Sequence, residues 1–206
     1  MKLYDSLAPN AWRVQAFIEE KGVDVPRQTV SVMEGETRKP DFLAINSLGE
    51  VPVLELDDGT RITESIAICR YLESLQPEPS LFGESPLAQA QVEMWNRRME
   101  QQIFAYCAHI GLHLIPFFAD KIEQMPDYAE SQKRMLAKKW AWLDQEMSDG
   151  RPFVAGDDFS VADITGAAAL LICGFMELEV PASAPNVQRW AASMRARPSW
   201  ALWKMP

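Results

Sequence analysis

The chain is poor in the residues that build most metal and disulfide sites: its 206 residues include three cysteines and two histidines. Cys69, Cys107 and Cys173 all fall in apolar helical contexts without metal-ligand spacing, which points to buried reduced thiols rather than a disulfide framework or a catalytic thiol. His109 and His113 stand at i and i+4 on one helical face, a spacing that can hold a metal, but no third ligand is near and no metal is expected. Basic residues are also in deficit. Lys and Arg total 20 against 29 Asp and Glu, and the formal net charge of −9 argues against a nucleic-acid or anionic-membrane partner. Long apolar runs are missing as well. The longest, near Ala167 to Cys173, is too short to span a bilayer, and Met1-Lys2-Leu3-Tyr4-Asp5 lacks the apolar core of a signal peptide, so neither membrane insertion nor export is expected.

What is present divides near Gln76. Residues 77–86, PEPSLFGESP, are proline-rich, cannot continue a helix, and separate a segment with strand signals from one without them. We read them as a linker between a domain at 1–76 and a domain at 87–206. Upstream, 1–4 reads as a short strand, 10–21 as a helix closed by Gly22, 28–32 as a second strand, and 51–62 as a hairpin before a helix that opens at Ser65. That order, βαβ then ββα, predicts a thioredoxin-like α/β domain. Downstream, 87–119, 128–147, 161–178 and 187–196 are helical by period, with Pro116 a kink or end of the first, so the second domain is expected to be all α. Its clearest local signal is Ser160-Val161-Ala162-Asp163, in which Ser160 caps a helix, Asp163 reaches back to the Ser160 N–H, and Phe159 and Ile164 are placed for a staple. With 48% of residues apolar, the chain can fill sizeable cores.

The strongest functional signal is residues 46–72, NSLGEVPVLELDDGTRITESIAICRYL. Pro52 has no amide hydrogen and holds the residue before it extended, so Pro52 begins a strand and Val51 keeps its backbone groups free. An extended peptide can then pair with the N–H and C=O of Val51 as an added antiparallel strand. Asp58-Gly59 turns the hairpin. Glu64 and Ser65 follow at a helix start, where unpaired N–H groups and the helix dipole attract a carboxylate; Ser65 adds a hydroxyl and Glu64 can pair with an ammonium. A plain helix start with Ser65 as its cap is the alternative.

Together with LYDSLAPNAWRV at 3–14 and FLAINSLG at 42–49, this block resembles the glutathione-binding half of the cytosolic glutathione transferases, over nearly the whole chain. The resemblance implies a cis bond before Pro52, a γ-glutamyl end held by Glu64 and Ser65, and Lys39 near the glycine carboxylate, where a solvated loop lysine is the alternative. It also implies a cytoplasmic homodimer, in which Trp95, Arg97 and Arg98 meet the other subunit unless they form a plain charged face. Glutathione would be the co-substrate for attack on a small hydrophobic electrophile, in detoxification, or for reduction or isomerisation. Two positions depart from the family pattern. Many serine-type members carry Ser or Thr two residues before the position of Asn10, where this chain has Ala8, and relatives carry Lys or Gln where it has Glu50.

A free thiol has a pKa near ~8.5, so the site must favour the thiolate with a nearby donor or a helix N-terminus. Asn10, through its side-chain amide or backbone N–H, is the first candidate, with a helix N-cap as its alternative. Ser6, at the end of the first strand, is the second, with a turn serine as its alternative; Tyr4 is read as packing. Tyr106, His109, His113 and Phe117 border a hydrophobic acceptor pocket or form a core stripe. A non-catalytic binding or regulatory protein on the same fold is the competing functional reading.

Overall fold

The computed structural model describes residues 1–203. Two compact units divide between Phe82 and Gly83, and residues 197–203 belong with the first.

In the first unit β1 (Lys2–Asp5) and β2 (Arg27–Thr29) are parallel and joined by α1 (Pro9–Lys21). β1 also pairs antiparallel with β3 (Val53–Glu55), which pairs antiparallel with β4 (Arg61–Ile62), so the sheet order is β2-β1-β3-β4. α2 (Pro40–Leu43) precedes β3, and α3 (Ser65–Leu75) follows β4. This is the expected α/β unit. α1 buries Ala11, Val14, Phe17 and Ile18 at helical spacing and packs on α3. Gly22, at φ 64°, closes it by donating to the Glu19 and Ile18 carbonyls, a left-handed cap that glycine adopts without steric cost. Two local expectations need correction. Ala8 is the extended N-cap of α1 and Pro9 its first residue, where a missing N–H breaks no helical bond, so Asn10 is not a cap. The strand begins at Val53 rather than at Pro52, because the proline has no donor for the ladder.

Residues 77–82 pack onto this unit. The fully buried Lys21 side chain donates to the carbonyls of Pro77 (2.9 Å) and Pro79 (2.6 Å) and pairs with Glu73 Oε2 at 2.8 Å. Glu73 Oε1 in turn accepts from the N–H groups of Leu81 (3.0 Å) and Phe82 (3.2 Å). At the other end of the chain, Glu20 of α1 accepts from Arg197 Nε (2.9 Å) and Nη2 (2.5 Å) and from Ser199 Oγ (2.6 Å). Burial pushes the Glu20 carboxyl up, but Arg197 and Ser199 outweigh it and hold it below its ordinary value. The folded chain therefore takes up this proton less readily than the unfolded chain. The resulting stability is complete above the ordinary carboxylate value of about 4.3 and fades as pH falls through the lower folded value. Trp12 reports on this contact, since its Nε1 donates to the Ser199 carbonyl (3.2 Å) and its ring meets Trp200 edge-on at 6.2 Å. Tryptophan emission should change as the parent is acidified below about pH 4, whereas Glu20→Gln should show the changed emission already at neutral pH. Identical titrations of the two proteins would rule the contact out as an acid-sensitive element.

The second unit is helical: α4 (Pro86–Met99), α5 (Ala105–Leu114), α6 (Pro126–Glu146), α7 (Val161–Phe175) and α8 (Pro185–Arg195). The single helix expected at 87–119 is interrupted by a π-helical stretch, Glu100–Phe104, in which the Ala105 N–H reaches back to the Glu100 carbonyl. It ends at Leu114, because Pro116 holds Ile115 extended. α7 is the core helix, buried from Val161 through Cys173. A Cβ at Gly166 would lie 2.5 Å from Met99 Cε and 2.6 Å from the Trp190 ring, so glycine is what lets these elements close. Asp163, fully buried, does more than cap. Its Oδ2 accepts from the Ser160 N–H (3.0 Å) and hydroxyl (3.1 Å), and its Oδ1 from the Val154 N–H (2.9 Å) and Trp190 Nε1 (2.9 Å). The Phe159 ring meets Phe153 at 5.6 Å. Trp95, expected at a subunit contact, faces its own unit instead: it is 6% exposed, stacks on Trp142 at 6.1 Å, and lies under the guanidinium groups of Arg98 and Arg151. Arg97 pairs with Glu93 and Glu100, and Arg98 with Glu146. Among the described residues no helix is long and apolar enough to cross a membrane.

Candidate functional site

Strand direction gathers the candidates of the first unit. β3 is antiparallel to β1, and β4 is antiparallel to β3, so the carboxyl ends of β1 and β4 and the amino end of β3 share one end of the sheet. Ser6 leaves β1 there, Val51-Pro52 enters β3 there, and Glu64-Ser65 follows β4 there. The β1–β3 register pairs Tyr4 with Val53. Continued by two residues, it sets Ser6 opposite Val51. Two helices, α1 and α3, begin at this same end.

Val51 is buried and its bond to Pro52 is cis. Among the described residues, no partner bonds its N–H or C=O. An edge of this kind is open to one more extended strand. A tight loop supports it from behind. Asn46 Nδ2 donates to the Glu50 carbonyl (2.8 Å), and Gly49, at φ 62°, has no room for a Cβ, which would lie 2.7 Å from the Thr37 carbonyl.

Glu64 caps α3 with φ 63° and ψ 115°, a conformation costly for a residue with a side chain, and its side chain is exposed. Held strain of this kind concentrates at binding and catalytic positions. Ser65 is the first residue of α3 and is buried. Its hydroxyl accepts from Nη1 of Arg13 at 3.4 Å, which leaves the hydroxyl's own hydrogen for a ligand. Arg13, 2% exposed on α1, was not among the expected site residues. A signal existed: Arg13, Phe17 and Lys21 follow at i, i+4 and i+8, so two cations sit on a buried stripe.

Near the start of α1, Asn10 is exposed at the second helical position, where its backbone N–H has no carbonyl within the helix. Ser6 is buried, and its backbone N–H is committed to Asp5 Oδ1 at 2.8 Å. Asp5, a second residue missed by sequence reasoning, also accepts from Gln15 Nε2 at 2.8 and 2.9 Å. Burial pushes its carboxyl up, against Gln15, the Ser6 N–H and Arg27. It thereby ties the strand end to α1. Tyr4 packs with Ala11, Val30, Phe42 and Val53, as read from its place in the strand. Lys39 is exposed in the loop before α2. Cys69 of α3 is fully buried, and burial pushes its thiol far up, so it offers no thiolate.

The acceptor candidates lie in the second unit. The Tyr128 hydroxyl lies 3.1 Å from His109 Nδ1, and its ring meets that of His113 edge-on at 5.0 Å, while His113 Nδ1 accepts from the Met125 N–H at 3.0 Å. Tyr106 lies under the Lys139 ammonium, and Phe117 under that of Lys121. The structure thus joins the two histidines through Tyr128 of α6. Among the described residues, neither histidine ring pairs with the ring of Phe117 or Tyr106; Phe117 meets Phe118 instead. A polar pocket lined by Glu179, Val180, Gln188 and Arg195 includes none of the four.

The chemistry of the first-unit site suits an extended ligand with peptide groups for Val51, a carboxylate for the α3 start and an anion for the α1 start. Known proteins match this chain across both units. The description "Glutathione S-transferase, N-terminal domain" matches residues 8–75, and "Glutathione S-transferase, C-terminal domain" matches 94–198. Glutathione S-transferase 2 of Saccharomyces cerevisiae is 35% identical over 204 residues, covering 97% of this chain and 87% of that protein. The crystal structure of Gtt2 from the same yeast superposes with a TM-score of 0.90 at 33% identity, over 99% of this chain and 100% of that one. A glutathione S-transferase domain-containing protein of Marinobacter aquaeolei gives 0.88 at 38% identity, over 97% and 99%. Family likeness in both halves, on a fold that brings the resembling residues to one end of its sheet, means that this chain belongs to the glutathione S-transferase family.

Proposed function

We propose that the chain is a glutathione-dependent enzyme that holds glutathione at this end of the sheet and presents its thiolate to a small hydrophobic electrophile, or uses it in reduction. The observation that carries the reading is the meeting of an unpaired Val51 with two helix N-termini at one sheet end. The cysteinyl peptide groups pair with Val51. The γ-glutamyl carboxylate takes the Ser65 hydroxyl and the α3 N–H groups, and its ammonium takes Glu64. Lys39 serves the glycine carboxylate. The sulfur lies toward the start of α1, where the dipole and the Asn10 N–H or amide favour the anion, with Ser6 as the second donor. The acceptor is assigned to the α5 face with Tyr106, His109 and His113, and to Phe117 beyond it.

Losing the Ser65 hydroxyl should weaken glutathione binding by about 1.5–3 kcal/mol, or about 10- to 150-fold, as for a bond to a charged group. Calorimetry with Ser65→Ala measures it, and unchanged affinity would take Ser65 out of the site. Ultraviolet thiolate absorbance titrated across pH then tests the chemistry. Asn10→Ala should raise the bound thiol's pKa and slow turnover at neutral pH by roughly 10- to 1000-fold if the side chain donates, and change neither if only the backbone N–H does. A shift confined to Ser6→Ala moves the role to Ser6.

Ala8 favours a second reading. The family's usual hydroxyl position holds a methyl group at the N-cap of α1, which suits a glutathione-binding protein without catalysis. No ionisation of bound glutathione at neutral pH in the parent would select it. The proposal includes a homodimer in the cytoplasm, where thiols stay reduced. Sedimentation at micromolar concentration should give about twice the chain mass; a monomer that still binds glutathione would overturn the dimer.

A further inference from the structure

In the second unit, Cys107 of α5 and Cys173 of α7 bring their Sγ atoms to 3.2 Å, both thiols buried and neither in a disulfide. They stand 66 residues apart in the chain, so only the packing of α5 on α7 makes them neighbours. From this contact between two reduced thiols we infer that Cys107 and Cys173 form an oxidisable dithiol, a modification site at which a hydroperoxide closes an intramolecular disulfide. The inference stands apart from the glutathione site.

The reaction balances in two steps. The Cys173 thiol gives up its proton and its thiolate attacks one peroxide oxygen; the O–O bond breaks, the sulfur becomes a sulfenic acid, and the departing oxygen takes up that proton and leaves as water (or as an alcohol, from an organic hydroperoxide). Cys107 sulfur then attacks the sulfenic sulfur; the S–O bond breaks and the hydroxyl leaves as water with the Cys107 proton. Two thiols are oxidised and one peroxide is reduced. A separation of 3.2 Å already lies in the ~3–3.5 Å range of reacting atoms held for attack.

Access comes from the end of α7. Cys173 lies two residues before its last residue, Phe175; Gly174 is exposed with open space where a Cβ would stand, Phe175 is 50% exposed, and Glu177 just beyond has φ 56°. Opening that final turn uncovers Cys173 without disturbing the middle of the helix. At rest the pair is protected, because the Cys173 contact and burial push the Cys107 thiol up. Oxidation should therefore be slow.

The test uses the full chain and hydrogen peroxide. Maleimide-reactive thiols, counted in denaturant after quenching, should fall from three to one, the intact mass should drop by two hydrogens, and peptide mapping should link the Cys107 and Cys173 peptides. Cys69→Ser should form the same link, and dithiothreitol should reverse it. The inference is overturned if the parent, still folded by circular dichroism, keeps three thiols, if the link involves Cys69 or a second chain, or if the cysteines go to sulfinic acid without cross-linking.

Discussion

Replacing Lys21 by methionine is expected to destabilise the chain by about 3–5 kcal/mol, the usual effect of removing one partner from a buried ion pair. The Lys21 side chain is fully covered, and its ammonium serves three oxygens: Glu73 Oε2 and the carbonyls of Pro77 and Pro79. Methionine fills the space of the stem but leaves the largely covered Glu73 carboxylate without its counter-charge. The coupling has a sign that separates this account from a packing defect. Glu73→Gln removes the orphaned charge while its amide oxygen still accepts from Leu81 and Phe82, so Lys21→Met with Glu73→Gln should be more stable than Lys21→Met alone. Urea unfolding of the parent, both single variants and the double variant completes the cycle. If the double variant is no more stable than Lys21→Met, the pair is not acting through charge.

The second large effect belongs to Asp163. Alanine there should cost about 3–5 kcal/mol, because four buried donors lose their acceptor together and each unmade bond costs on the order of 1–3 kcal/mol before relaxation. The groups stranded are the Val154 N–H, the Ser160 N–H and hydroxyl, and Trp190 Nε1. Ser160→Ala removes only its own hydroxyl and should cost about 1 kcal/mol, as other cap substitutions do. The contrast is the test. Thermal unfolding should show Asp163→Ala several-fold more damaging than Ser160→Ala; equal losses would mean that Asp163 is only a capping residue. Trp190 provides a second readout, because its indole loses a charge-assisted bond and its emission should shift.

Much of the architecture was legible because local rules and global fold agree. Gly22 stops α1, Asp58-Gly59 turns the hairpin, and Ser160-Val161-Ala162-Asp163 opens α7, each by chemistry confined to a few neighbouring residues. Errors arose where backbone detail depends on distant packing. The π-helical stretch at Glu100–Phe104 has no signature in a periodic apolar pattern, and the start of α1 moved from Asn10 to Pro9 because an extended Ala8 serves as the cap although its side chain cannot. Trp95 looked like an interface residue on a charged helix, yet its ring is covered by Trp142, Arg98 and Arg151, which are remote or ambiguous in sequence.

The candidate site divides the same way. By itself the sequence determined that Val51 precedes a strand without a donor at Pro52, that Glu64 and Ser65 open a helix, and that Asn10 and Ser6 flank the first strand-to-helix connection, since each follows from the stereochemistry of adjacent residues. Only the tertiary structure decided that these segments share one end of the sheet, because strand order and direction are properties of pairing between residues some fifty positions apart. It alone brought Arg13 to the Ser65 hydroxyl, turned Asp5 onto Ser6 and Gln15, and set Cys107 against Cys173. Burial is the physical reason: a charged or thiol side chain takes its meaning from whichever partner the core places beside it, and that partner is chosen by the packing of whole helices and strands rather than by neighbours in the chain.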